Sequence, residues 1–290
     1  MTTQTRATHL TRPDGRIVAW SECGSLQGAP VLWCHGAPGS RLDAAPGGPF
    51  AASYAAAGIR VIAWDRPGYG ASTPHPGRSL EDLADDAEAV ADALGLGTFA
   101  LAGYSGGGPV ALTTAHRLGE RVAAVGVLAG IAPPHLAHDA DLAEHDLFAL
   151  AESDPLALRA GLAQLAAGLR EDTAATARRM LADGLTDADL EVAADPVFAA
   201  MLHATLAESA SQDLAGYAED IDCLRAHWTP TLRNVRQRVH LIHGTTDRIV
   251  PVGHSRAIAA ALPHSELTEV EGGHLSVLTH LPEILTAVLS

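Results

Sequence analysis

Phe99-Ala100-Leu101-Ala102-Gly103-Tyr104-Ser105-Gly106-Gly107 is the stretch on which the reading of this chain turns. Its first four residues form an apolar run ended by a glycine, the pattern of a buried strand. Pro109 to Leu118 follows with helical spacing and stops near Gly119. Between the two lies G-x-S-x-G. A strand that turns this sharply into a helix strains its turn residue, so the neighbours must lack side chains that would clash. The helix also aims its first amides at that point and favours negative charge there. Ser105 is therefore the candidate nucleophile. Gly253-His254-Ser255-Arg256-Ala257 looks similar but ends in alanine at a predicted helix start, so Ser255 reads as an early-helix or capping serine.

Working outward, the same rhythm repeats. Arg16 to Cys23, Val31 to Cys34, Arg60 to Trp64 and Val122 to Leu128 read as strands bounded by Gly, Pro or Asp. Ser79 and Asp82 make a capping box for a helix that Gly95 ends. Strands alternating with helices predict an α/β fold, a doubly wound, mostly parallel sheet. The rhythm breaks at Pro133-Pro134. From there to Trp228 the chain is rich in Ala, Leu and Asp with helical periodicity, which predicts an all-helical insertion. It resumes with a strand at Arg238 to Ile242, a helix at Val252 to Leu262, a strand at Glu266 to Val270 and a helix at Leu281 to Leu289. The expected division is a core of residues 1–133 and 229–290 with an insertion of residues 134–228.

A nucleophilic serine needs a base, and the base an orienting carboxylate. Asp247 lies in the loop after Arg238 to Ile242, and His274 follows the last strand in Glu271-Gly272-Gly273-His274. Both predicted positions are at C-terminal strand ends, where catalytic groups gather in open α/β sheets. His264 and His280, by contrast, lie before that strand and within the last helical stretch. His35-Gly36-Ala37-Pro38-Gly39 also follows a strand, and one of its backbone amides would complete an oxyanion hole with the amide of Gly106. His35 itself reads as a loop-stabilising hydrogen bonder, and Asp65-Arg66-Pro67-Gly68-Tyr69-Gly70 as a structural loop. The cluster His135, His138, Asp139, Asp141 and His145 matches no strong zinc spacing and reads as a solvated helix start.

Composition sets the outer bounds. Lys and Arg number 19 against 34 Asp and Glu, a formal charge of −15, which argues against nucleic acid and against anionic membrane surfaces. Cys23, Cys34 and Cys223 have no CxxC spacing and form no disulfide framework. The polar start, Met1 to Arg16, shows no secretory pattern, and the longest apolar run is too short for a bilayer. The expectation is a soluble cytoplasmic protein.

With these pieces in order, the chain resembles the α/β-hydrolase superfamily, and within it the capped, esterase-like branch. The H-G-x-P-G loop, D-R-P-G-Y-G loop, G-x-S-x-G elbow, late aspartate and G-G-H carry the resemblance. It implies that Ser105, Asp247 and His274 form a catalytic triad, that Ala37 and Gly106 supply the oxyanion amides, and that the insertion is a cap. Some members place the acid after the strand that follows the elbow helix. Here Ala129-Gly130-Ile131-Ala132-Pro133 stands there and offers none. The expected activity is hydrolysis of small or medium-chain, largely apolar carboxylic esters, with Tyr104, Phe148 and Met201 as substrate contacts and no metal or cofactor. Proline-iminopeptidase-like, lactonase, C–C hydrolase or perhydrolase chemistry would use the same triad. The first of these needs acids to hold an amine, and Glu144, Asp146, Glu208 and Asp213 are available. A ligand-sensing module that does not turn over is the rival outside enzymology. Asp220 and Asp222, late in the insertion, are expected to matter far less than Asp247.

Overall fold

Eight strands form one sheet: β1 (Thr8–Thr11), β2 (Ile17–Gly24), β3 (Ala29–Cys34), β4 (Ile59–Trp64), β5 (Phe99–Tyr104), β6 (Val122–Leu128), β7 (Arg238–Gly244) and β8 (Ser265–Val270). The computed structural model from which they are taken describes residues 8–44, 47–137 and 145–290. The sheet order is β1-β2-β4-β3-β5-β6-β7-β8. From β4 to β8 every pairing is parallel, whereas β1 and β2 join the edge antiparallel. The buried apolar runs of β3, β5, β6 and β7 pair in parallel, as expected of strands covered by helices on both faces. The strand expected at Arg16 to Cys23 is instead the antiparallel β2, and β8 is largely exposed.

Side chains alternate across the sheet. Leu32, Cys34, Ile62, Trp64, Leu101 and Val127 point to one core. Val31, Trp33, Val61, Ala63, Ala102 and Leu128 point to the other. The flanking helices in the first half are α1 (Ala51–Ala56), α2 (Leu80–Ala93) and α3 (Gly107–Leu118). The insertion between β6 and β7 then supplies α4 (His145–Ser153), α5 (Pro155–Glu171), α6 (Thr173–Leu181), α7 (Asp187–Ala193), α8 (Pro196–Ser209) and α9 (Ala215–Leu224). Finally come α10 (Thr229–Asn234), α11 (Gly253–Ala261) and α12 (Leu281–Ala287). Helices α2, α3 and α11 pack on the first face, and α1 and α12 on the second.

Local chemistry explains the helix starts. The Ser79 side chain accepts from Asp82 N–H while the Asp82 carboxylate accepts from Ser79 N–H, the predicted box. Much of the insertion's aspartate does similar work. Asp154, Asp172 and Asp195 accept from first-turn amides of α5, α6 and α8, and Thr186 with Asp189 boxes α7. Such caps contribute about 1 kcal/mol each. Among the described residues no single helix is long and apolar enough to cross a membrane.

Candidate active site

Ser105 sits between β5 and α3 with φ of +52°. For a residue with a side chain that conformation costs about 1–3 kcal/mol and persists only where the surroundings enforce it. Here its N–H donates to the Leu128 carbonyl at 2.9 Å and its carbonyl accepts from Gly108 N–H at 3.0 Å. The glycines are steric necessities. A Cβ on Gly103 would lie 2.3 Å from the Gly107 oxygen, and one on Gly107 2.0 Å from the Cys34 oxygen. A Cβ on Gly106 would fall 2.9 Å from the Ala37 Cβ, so the loop after β3 and the start of α3 touch at those two residues.

Across the sheet edge, Asp247 follows β7. Its Oδ1 accepts from the N–H groups of Ile249 and Val250, both at 2.9 Å, and its Oδ2 lies 2.7 Å from His274 Nδ1. Burial pushes the Asp247 carboxyl up, but the His274 charge and hydrogen bonds from His243 and His274 outweigh it and hold the group well below the carboxylate range. An ionised carboxylate makes Nδ1 the donor, which leaves Nε2 of His274 to accept a proton. Tyr104 steadies that imidazole. Its hydroxyl donates to the His274 carbonyl at 3.0 Å, and the two rings lie 4.9 Å apart.

Ser105 and His274 line one cavity of about 500 Å³. Trp33, Ala37 and Tyr104 wall it from the core, and Met180, Phe198 and Met201 from α6 and α8. Of the expected substrate contacts, Tyr104 and Met201 thus border the cavity. Phe148 does not. It packs with Leu158, Leu162 and Leu214 in the insertion's own core, and its neighbour Leu147 turns to the cavity instead. The acids considered for amine binding are not gathered here. Glu208 is bound by Arg41 and Asp213 by Arg170, Asp146 is exposed, and Glu144 lies outside the described residues. Of the histidine-rich cluster, His135 stacks on His227 with ring centroids 4.0 Å apart, while His138, Asp139 and Asp141 are outside the described residues.

His35 is fully buried and bonded on both sides. Nε2 accepts from Arg66 N–H at 3.2 Å, and Nδ1 donates to the Gly36 carbonyl at 2.7 Å. Burial, aided by the Arg66 charge, keeps its pKa far below the usual histidine value. It is a strut, as the sequence suggested. The D-R-P-G-Y-G loop does more than shape itself. The Arg66 guanidinium donates to the His35 and Gly36 carbonyls and to Asp220 of α9. Tyr69 and Arg78 bind the same Asp220. One carboxylate of the insertion thereby holds the loop that carries Ala37.

Three contributors escaped the sequence reading. The first is His243, the residue before Gly244. Its Nε2 lies 2.7 Å from the Val250 carbonyl and 3.3 Å from Asp247 Oδ2, and its Nδ1 lies 2.6 Å from Ser255 Oγ. A carbonyl needs a donor, so Nε2 carries the proton and Nδ1 accepts from the serine. Ser255 is accordingly buried and committed to His243. The available signal was a histidine ending an apolar strand just before G-x-x-D. The second is Asp189, whose Oδ1 accepts from Ser276 N–H at 2.8 Å and whose Oδ2 stands where a Cβ of Gly273 would be. It braces the His274 loop. Asp220 is the third, and neither it nor Asp189 has a local pattern that reveals its role.

A strained serine at a strand–helix turn, sharing one cavity with a histidine bonded to a carboxylate at the C-terminal edge of a parallel sheet, defines a class, and comparison with known proteins agrees. The alpha/beta hydrolase fold family matches residues 29–281, and the chain belongs to that family. It is 32% identical over 232 residues to a pimeloyl-[acyl-carrier protein] methyl ester esterase of Aromatoleum aromaticum, covering 78% of this chain and 85% of that one. It is 27% identical to a non-heme chloroperoxidase of Streptomyces lividans, over 95% of each chain. A solved hydrolase from Pseudomonas aeruginosa superposes with a TM-score of 0.71 at 21% identity, over 99% of this chain and 97% of that one. The family and the esterase relative support a hydrolase.

Proposed function

We propose that this hydrolase cleaves small or medium-chain carboxylic esters through an acyl-enzyme on Ser105. The observation that carries the reading is the arrangement around one apolar cavity: Ser105 held at φ +52°, with the His274–Asp247 pair closed at 2.7 Å. Ser105 Oγ attacks the ester carbonyl while His274 Nε2 takes its proton, and Asp247 stabilises the imidazolium. The N–H groups of Ala37 and Gly106 receive the developing oxyanion, and the positive end of α3 adds to that field. His274 then protonates the leaving alkoxide. Water attacks the acyl group by the same route in reverse, and no step calls for a metal or cofactor. Similarity to a methyl ester esterase favours this reading over amine-directed peptidase chemistry, as does the engagement of Glu208 and Asp213 by arginines.

In this reading residues 134–228 are a cap over a core of residues 1–133 and 229–290. The packing of α10 on α3 and α11 supports a core that resumes at 229. Turnover of p-nitrophenyl esters across acyl lengths tests the activity. Sustained cycling is expected, and a single burst would instead mark a sensor. Ser105→Ala should stay folded and lose at least about 10⁴ in kcat. Retention of a tenth of wild-type turnover would refute the nucleophile.

A further inference from the structure

The cavity beside Ser105 shares a boundary with a second space that the proposed chemistry leaves unused. An open groove of about 390 Å³ runs past Pro49, Phe50, Val192, Val197 and Phe198. Phe50 and Phe198 border both the groove and the cavity. Phe198 is buried in one cluster with Met201, Leu278 and Leu281. Phe50, half-buried at the start of α1, packs against the same cluster. Two phenylalanines from opposite sides of the chain, one in the core and one in the insertion, therefore stand where the two spaces meet.

The polar side chains of the groove are already committed. Asp195 Oδ1 accepts from the Val197 and Phe198 amides at the start of α8, and the Thr279 hydroxyl donates to the Ser276 carbonyl. What the groove offers a ligand is hydrocarbon, and Val197 is 48% exposed there. Apolar surface left in contact with water beside a substrate cavity suits an apolar ligand. Elsewhere the cavity is bordered by exposed Asp183 and Arg248. A hydrocarbon chain leaving past those two would give up apolar contact for charged, hydrated groups. A chain directed at Phe50 and Phe198 stays in apolar surroundings until those side chains stop it.

We propose that Phe50 and Phe198 form a partition that sets the longest unbranched hydrocarbon chain a substrate ester can carry, and that the groove continues the path of that chain beyond them. This deepens the esterase reading and rests on it. Each methylene buried in the cavity should raise kcat/KM by up to about fourfold, because the added area is bound in ground and transition state alike. The rise ends where the chain meets the partition.

The test reads kcat/KM for p-nitrophenyl butyrate and dodecanoate on the acyl side, and for butyl and dodecyl acetate on the alcohol side. The quantity compared is the ratio of the long member to the short one, which cancels any general loss from altered packing. In the wild type that ratio should lie below one in at least one pair. Phe50→Ala should raise it at least about tenfold there, the gain from about two further buried methylenes. Phe198→Leu should raise it by about threefold, and it keeps the test alive if Phe50→Ala does not fold. Adding Val197→Asp to either variant puts a charge in the groove and should take the gain away. Ratios above one in both wild-type pairs, ratios unchanged by both single variants, or a gain that survives Val197→Asp would overturn the partition while leaving the esterase reading in place. Hydrolysis of none of the four esters would instead overturn the esterase reading, and the partition with it.

Discussion

Asp247 and Asp220 are both buried carboxylates held below their usual range, but opposite kinds of partner hold them. Asp220 takes Arg66 at 2.6 and 3.0 Å and Tyr69 at 2.8 Å, with Arg78 on its other oxygen. Burial alone would raise its pKa, and the two guanidinium charges bring it down to about 2. Those charges do not titrate, so the cluster has one state. Asp247 instead faces His274 and His243, together with two backbone amides. An imidazole gains its charge only when it accepts a proton. In the proposed chemistry the field of Asp247 is thus worth most at the moment Ser105 gives up its hydrogen. A permanently paired charge anchors, whereas a conditionally paired one is available for chemistry.

Breaking each carboxylate in turn should separate these roles. Asp247→Asn keeps the shape but removes the charge and invites the wrong imidazole tautomer. A loss of about 10⁴ in kcat is expected at saturating ester, with the urea midpoint little changed. Near-normal turnover would assign the acid elsewhere. Asp220→Ala should show the reverse emphasis. It strands two buried guanidinium groups, and the expected cost is about 3–5 kcal/mol in urea unfolding. A loss below about 1 kcal/mol would mean that the cluster is not load sharing between insertion and core.

The pH dependence of that second effect sharpens the contrast. The Asp220 carboxyl is lowered from 3.8 to about 2 in the fold. Its contribution is therefore fully present above about pH 4 and is lost as pH falls through the folded value. The gap between wild type and Asp220→Ala should hold steady from pH 8 to 5 and narrow at pH 3. A gap that narrows near neutrality would point to a histidine instead. The smallest effect belongs to Asp222→Asn. That side chain pairs with the exposed Arg225 at 3.1 Å, and no measurable change in Tm or kcat is expected.

The candidate site was legible where its geometry coincides with local pattern. Ser105 is announced by glycines that the backbone cannot do without, and Asp247 and His274 by their place after apolar runs. The strands buried on both faces were readable for the same reason. The outermost strand β1 was not, because Thr8–Thr11 is largely exposed and has no apolar face to betray it. Asp220 was expected to matter little, since nothing around it in the chain hints at arginines 154 and 142 positions away. Phe148 illustrates the opposite error. Helical spacing marks a buried face without saying whether a cavity or a neighbouring helix lies against it. His243 hid inside a strand pattern, where a histidine reads as one more residue of the run.

The two carboxylates Asp220 and Asp189 have a practical corollary for anyone recombining these proteins. Through Arg66, Asp220 reaches the carbonyls beside Ala37, and Asp189 reaches the amide of Ser276 beside His274. The helices between β6 and β7 are therefore not an interchangeable lid. Grafted onto a scaffold without Arg66, Arg78 and Gly273, they would bring two acids with nothing to receive them. Removed from this one, they would leave the loops that carry Ala37 and His274 without a brace. Chimeras built at this junction should exchange loop and helix together.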